Sequence, residues 1–318
     1  MNFGVVNVKL TAIATEYKNR ELIGDEIAPS VKTPTTNFNY TVWNKENNFT
    51  VPETAVGKTG KFNSVEFSGG TEKGSVKNHG LSTSVSQQDI DDFSAVGDSQ
   101  LLARNTQSLR NIMLLRREVQ IANMVQDKAN YSASKDYVAN NSWVSANYDP
   151  LKDIEDAIES AVVPFNRMWF SSDSWLAFKR NLKVIARLFP YSKSSVASIK
   201  EEDIAAELGL DKVIVGKGRF NTALPGQTPI LSRAFDASAG LYVFNEQTLI
   251  NSEMNFITQV YLPQKEGGDS FGRLGVVPKK LEYGEFGMGG VQINIGEQLD
   301  IISQGKDLGY LFKNTTAK

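Results

Sequence analysis

The chain has 318 residues, a formal charge of −2, 41% hydrophobic and 22% charged residues, enough for a sizeable core in one large or two ordinary domains. So balanced a charge, without a basic arm or tail, does not announce nucleic-acid binding. Cysteine is absent, which excludes disulfides and thiolate metal sites and suits a reducing cytoplasm, and no stretch approaches the roughly 20 apolar residues of a membrane span.

Residues 1 to about 34 read as an arm. A short amphipathic piece around Leu10 to Tyr17 is followed by ELIGDEIAPSVKTP, where Pro29 and Pro34 favour an extended path. The opening MNFGVVNVKLTAIATEYK shows no signal-peptide succession of basic, apolar and small-residue blocks. From Asn37 to about Val85 the period changes to two: Phe38, Tyr40 and Val42, then Val65 with Phe67, then Leu81, Thr83 and Val85 alternate with polar residues. Between these runs lie VPETAVGKTGK and SGGTEKG, rich in glycine, threonine and lysine. The pattern predicts a long two-stranded excursion. Such a ribbon buries too little to offset its ordering entropy, so it needs a partner surface, and another copy of the chain is the natural source.

Asp98 to Lys128 reads as one helix of about 45 Å at about 1.5 Å per residue. Leu102, Leu109, Ile112, Met113, Val119, Ala122 and Val125 recur at three-and-four spacing, with Arg104, Arg110, Arg116, Arg117 and Asp127 mostly on other faces. Gly97 breaks the preceding chain and Asp98 is the expected N-cap. Asp149 and Pro150 open a second helix, LKDIEDAIESAVV. RMWFSS is a buried strand, SDSWLAFKRNLKVIARLF a helix capped by Ser172 or Asp173, Lys200 to Leu208 a small helix ended by Gly209, and KVIVGKG a buried strand. The last third reads as strands: GLYVFN, FITQVYL, KLEYGEF, GVQINIG and LDIIS. The closing DLGYLFKN is expected to pack back on the long helix, giving an α+β body whose sheet is completed by the C-terminus.

This order of parts resembles the major capsid proteins of tailed bacteriophages, with the fold named after phage Hong Kong 97. AIATEYKNRELIGDEIAPSV resembles their opening segment and KGSVKNHGLSTSVSQQDIDDF the strand leaving their extended loop. The helix from Asp98 resembles their spine helix, DPLKDIEDAIESAVVPFNRMWFSSDSWLAFKRN the start of their axial domain, and GVQINIGEQLDIISQGKDLGYLFKN the strand pair returning to their peripheral domain. The resemblance spans essentially the whole chain. It implies an N-terminal arm at 1–36, an extended loop at 37–80, a peripheral domain at 81–140 and 256–318 with the spine helix at 98–128, and an axial domain at 141–255.

The implied function is that of a structural, non-enzymatic subunit. Copies form pentamers and hexamers of an icosahedral virion shell, assembled in the host bacterial cytoplasm around double-stranded DNA that they do not read. The implied partners are the chain itself, a portal protein, and scaffold and decoration proteins; no membrane and no cofactor is implied. The long helix is reached after about a hundred residues, which implies a separate scaffold or none, unless this is a trimmed form. Lys58, Lys61, Phe62, Val65 and Phe67 on the loop, with Arg116 and Arg117 on the helix, are the expected intersubunit contacts. Arg116 and Arg117 have packaged DNA as an alternative target. Lys58 and Lys61 do not match a pattern for covalent cross-linking.

Chemical motifs are weak. Gly57, Lys58 and Thr59 mimic the end of a phosphate loop, but Pro52 stands where its first glycine is needed. The glycine pairs at 216 and 218 and at 287 and 289 fail the dinucleotide pattern at Asn221 and Gln292. His79 is the sole histidine, which removes His-pair metal sites. The acidic clusters Asp89, Asp91, Asp92 and Glu201, Glu202, Asp203 read as helix starts, with Asp91 or Ser94 before the spine. Two other functions compete: a nanocompartment shell of the encapsulin type, which an adjacent cargo gene would favour, and a carboxylate-dependent hydrolase built on those clusters.

Overall fold

The computed structural model describes residues 6–17, 19, 21–45, 49–58, 60–65, 70–95, 100–139, 141–189, 199–224, 226–245, 254–266, 269–270, 273–281 and 289–317. The arm holds helix α1 (Val8–Glu16), the single turn α2 (Gly24–Ile27) and strand β1 (Ser30–Lys32). Strands β2 (Asn37–Val42) and β3 (Gly70–Ser75) pair antiparallel, and β4 (Lys77–Ser86) leads to α3 (Gln87–Ala95) and the long helix α4 (Leu101–Gln126). Then come β5 (Ala133–Asp136), α5 (Pro150–Glu159), β6 (Arg167–Ser171), α6 (Ser172–Arg180), α7 (Leu182–Leu188), α8 (Glu201–Leu208) and β7 (Lys212–Gly216). The remaining strands are β8 (Arg219–Asn221), β9 (Leu231–Arg233), β10 (Ala239–Tyr242), β11 (Ile257–Leu262), β12 (Lys265–Glu266), β13 (Asp269–Ser270), β14 (Leu274–Leu281), β15 (Gly290–Ser303) and β16 (Gly309–Lys313).

Strand β15 organises the first sheet. Along one edge it pairs with β4; along the other it pairs with β14 and then, end to end, with β11, which carries β1. Its 14 residues span about 46 Å at about 3.3 Å per residue, and the 26 residues of α4 about 39 Å at about 1.5 Å per residue. Rod and strand therefore match in length, and the helix packs on both β15 and β4. Val291, Ile293, Ile295 and Leu299 alternate inward, and α4 adds Leu109 and Met113 to the cluster that the first three form with Leu10 and Ala14 of the arm.

The second sheet runs β5-β16-β10-β6-β7. Helices α5 to α8 enclose it in an aromatic core that includes Trp143, Trp169, Phe170, Phe178 and Phe312. Strands 133–136 and 309–313, assigned above to the peripheral part, pair here, β16 lying between β5 and β10. The C-terminal strand touches α4, and the sheet it completes is this second one, because its continuous apolar run of Tyr310, Leu311 and Phe312 fits a strand covered on both faces.

Several local expectations shift. The long helix stops at Gln126 because the Asp127 side chain turns to accept from Ala129 N–H and caps the next turn. Its predicted cap, Asp98, lies outside the described residues. Helix α3 was not foreseen: Ser86 Oγ accepts from Asp89 N–H (3.0 Å) and donates to the Asp89 carboxylate (2.7 Å), a reciprocal cap that places Asp91 and Ser94 inside α3. Asp149 caps α5 as expected, and Gly209, at φ 66°, ends α8. The 172–189 helix is two, since Asn181 leaves helical geometry to accept from Lys183 N–H (2.9 Å) and donate to the Trp143 carbonyl (3.0 Å). Its first half is capped by Ser171, not by Ser172 or Asp173. GVQINIG and LDIIS form one continuous strand. The strand placed on KLEYGEF runs earlier, Leu274–Leu281, and residues 282–286 lie outside the described residues.

Candidate assembly surface

Three features bear on assembly: the ribbon, the seat of the arm on α4, and the outer arginine of that helix. The ribbon's root is built into the body. Phe38 and Tyr40 of β2, with Val76, pack on Val260 and Ile302 of the first sheet. Trp43 N–H donates to the Gln304 carbonyl (2.7 Å), and Lys45 pairs with Asp307 (2.6 Å).

Beyond this root the character changes. Residues 50–58 and 60–65 contain no helix or strand, and Val51 is 90%, Phe62 91% and Val65 50% exposed. The strand expected through Val65 begins only at Gly70; Phe67 lies outside the described residues. Lys58 and Lys61 are exposed on the same stretch. The exposed Val51, Phe62 and Val65 thus stand on a glycine-, threonine- and lysine-rich stretch that lies outside the sheets.

The arm is seated by charges. Arg110 and Arg117 were expected on outward faces; they are buried. Glu297 sits on the inward face of β15, in the alternating series that supplies Ile295 and Leu299, and its side chain is 0% exposed. Arg110, Arg117 and Arg273 lie 3.7, 3.6 and 3.9 Å from its Oε2. Arg117 also donates to Asp25 of the arm (3.1 Å), and Gln259 Nε2 ties Asp25 (3.0 Å) to the Ala28 carbonyl (2.6 Å). Arg117, expected as an intersubunit or DNA contact, is 2% exposed, and its charge faces Asp25 and Glu297 within the chain. Burial alone would raise Asp25, but Arg117, Arg273 and the Gln259 hydrogen bond hold it below the usual carboxylate value. Burial, helped by the neighbouring Arg117, draws Arg110 down to about 10.

Glu118, next in sequence, faces the arm. Its two carboxyl oxygens accept from Ile23 N–H (3.0 Å) and Gly24 N–H (2.6 Å). Burial pushes its pKa up to about 7 against the pull of those two amides. Gly24 is required by this close approach, since a Cβ there would lie 2.8 Å from Glu118 Oε2 and 2.9 Å from Ile121 Cδ1. Gly24→Ala should lift the arm from the helix at a cost of about 1–3 kcal/mol, read as faster proteolysis within residues 19–30 and a lower melting temperature. A cleft of about 390 Å³ remains beside this seat, lined by Tyr17, Asn19, Leu114 and Arg273 among others.

Arg116 points the other way. It donates to Nε2 of His79 on β4 (2.9 Å), so His79 is a neutral acceptor, its pKa lowered by burial and by Arg116. The acidic clusters stand at helix starts: Asp89 in the reciprocal cap of α3, and Asp203 accepting from Lys200 N–H (2.9 Å) at α8. Among the described residues no group of three or more His, Asp or Glu side chains could hold a metal ion, and no helix is long and apolar enough to cross a membrane. Sequence reading missed the Asp25–Arg117–Glu297 network. Period-two alternation with a carboxylate at an inward position of GVQINIGEQL was its available signal.

A long helix laid along a matching strand, a ribbon leaving the body and a second, sheet-centred lobe make this the fold of phage capsid proteins. The same architecture is found in the capsid of Cyanophage P-SCSP1u, with a TM-score of 0.59 and 9% identity over 94% of this chain and 89% of that one. It is also found in a phage-related protein from Bordetella bronchiseptica RB50, with a TM-score of 0.74 and 21% identity over 99% of both chains. In sequence the chain is similar to the major capsid protein of Pseudomonas phage JBD67, 29% identical over 319 residues, which covers 98% of this chain and 97% of that protein. No protein-family model matches the chain.

Proposed function

We propose that this chain is a major capsid protein, a structural subunit that assembles with copies of itself into the icosahedral shell of a phage head. The observation that carries the reading is the end-to-end similarity to a phage major capsid protein. The exposed ribbon supports it independently, because Phe62 and Val65 are left for a neighbour to cover.

In this reading the fold is of the Hong Kong 97 type. The sheet around β15 with α4 forms the peripheral part, and the aromatic lobe is the axial part, pointing to the centre of pentamers and hexamers. Lys58, Lys61, Phe62, Val65 and Phe67 of the ribbon lie across the next subunit, with Arg116 as a further contact. Double-stranded DNA fills the shell without sequence-specific contacts, and a portal protein, with scaffold and decoration proteins where present, completes the particle in the host cytoplasm. The carboxylate clusters cap helices, so no enzymatic step is assigned to them. Electron microscopy of the purified full-length protein should show closed shells with five- and six-fold capsomers. A uniform population of monomers at micromolar concentration would remove the reading.

A further inference from the structure

The seat of the arm on α4 contains a carboxyl group with an unusual environment. Glu118 is 2% exposed. The hydrogen bonds to its carboxyl group come from the Ile23 and Gly24 backbone amides, and among the described residues no arginine or lysine lies within ion-pair distance of it. The nearby charges are committed elsewhere. Arg117, its helix neighbour, pairs with Asp25 and Glu297; Arg110 and Arg273 face Glu297; Glu26 of the arm pairs with Lys212 (2.8 Å). From the loop after β7, Gly218 comes near the Glu118 side chain, a Cβ at that position lying 3.5 Å from its Cγ, and Lys217 and Arg219 flank it in sequence.

We infer that Glu118 makes docking of the N-terminal arm proton-linked, with the arm seated more tightly when this carboxyl group is protonated. The reason is desolvation. Lifting the arm returns the carboxyl to water, where it ionises readily; seating the arm buries it against Ile23 and Gly24, where desolvation and the nearby Asp25 carboxylate outweigh the two amides and the more distant Arg117 charge. The direction of the shift agrees: the seated carboxyl titrates near about 7, against 4.5 for the free group.

The sign follows from linkage. An acid whose pKa is higher in the docked state binds more protons there, so docking strengthens as pH falls from above 7 towards 4.5. With those two values the docking equilibrium gains about tenfold between pH 8 and pH 6. Asp25 works in the opposite sense and in another window: its lowered pKa contributes to docking at neutral pH and is lost only below its free value of 3.8. The two effects are therefore separable. The inference concerns packing within one subunit and stands whether or not the shell reading does.

Hydrogen exchange of the full-length protein tests it. Peptides covering residues 19–28 are followed at pH 6, 7 and 8, with rates corrected for the intrinsic dependence of exchange on pH. Wild type should gain about tenfold protection between pH 8 and pH 6, while peptides from β6 and β10 hold constant. Glu118→Gln, which cannot titrate, should give a flat profile. Arm protection in wild type that is flat, or that falls on acidification, overturns the inference without reference to the variant; a slope that persists in a folded Glu118→Gln protein assigns the proton to another group and overturns it equally.

Discussion

Removing residues 50–65, with Phe49 and Glu66 rejoined by a short Gly-Ser turn, should give a folded, soluble subunit that forms no closed shells. The excision leaves the root intact: β2 still pairs with β3, and Phe38, Tyr40 and Val76 keep their contacts with Val260 and Ile302. What is lost is the stretch carrying Val51, Phe62 and Val65, which are 90%, 91% and 50% exposed in a single chain. These side chains contribute almost nothing to the stability of one copy, so circular dichroism and the melting temperature should change little. If they are buried against a neighbour, burying each fully contributes about 1.5–3 kcal/mol per contact, repeated at every ribbon of the shell. Sedimentation and electron microscopy should then show subunits or small oligomers. Normal particles from the shortened chain would show that the ribbon is not the clasp between subunits.

Breaking the buried charge network should have the largest effect on the subunit itself. Arg117→Met keeps much of the side chain's bulk but leaves the fully buried Glu297 with only Arg110 and Arg273, at 3.7 and 3.9 Å, and frees Asp25 from the helix. Stranding a buried carboxylate costs about 3–5 kcal/mol. Because Arg110 and Arg273 remain, the lower end, about 3 kcal/mol, is expected. The double variant Arg117→Met with Glu297→Gln should lose further stability, since buried Arg110, whose ion pair is with Glu297, is then left without a counter-charge. Denaturant unfolding of the ribbon-shortened subunit, where assembly does not interfere, provides the readout. Equal stability of wild type and the single variant would mean that the network is solvated and contributes nothing to holding the arm.

The elements legible in the sequence were those whose signals are local. The 3.6-residue period of α4, Asp149 with Pro150 at the start of α5, Gly209 after α8, and the apolar runs of β6 and β7 each carry their instruction within a few neighbouring residues. The break at Asn181 was not visible, because it is made by a contact with the Trp143 carbonyl 38 residues away. Helix α3 was encoded locally, in Ser86 and Asp89, yet masked by expecting one helix where there are two.

By itself the sequence determined that the chain is an α+β protein with a long helical rod, that the excursion from Asn37 to about Val85 has too few large apolar residues to stand alone, and that no cysteine chemistry is open to it. Tertiary structure alone decided which way the arginines of the rod face. Helical spacing puts Arg110 and Arg117 on one stripe, and a stripe of charge reads as solvent-facing until Asp25, from 92 residues earlier, and Glu297, from the other end of the chain, are brought against it. It likewise decided that the last strand pairs with β5 and β10 in the second sheet, since a strand apolar on both faces specifies burial but not the neighbour that provides it.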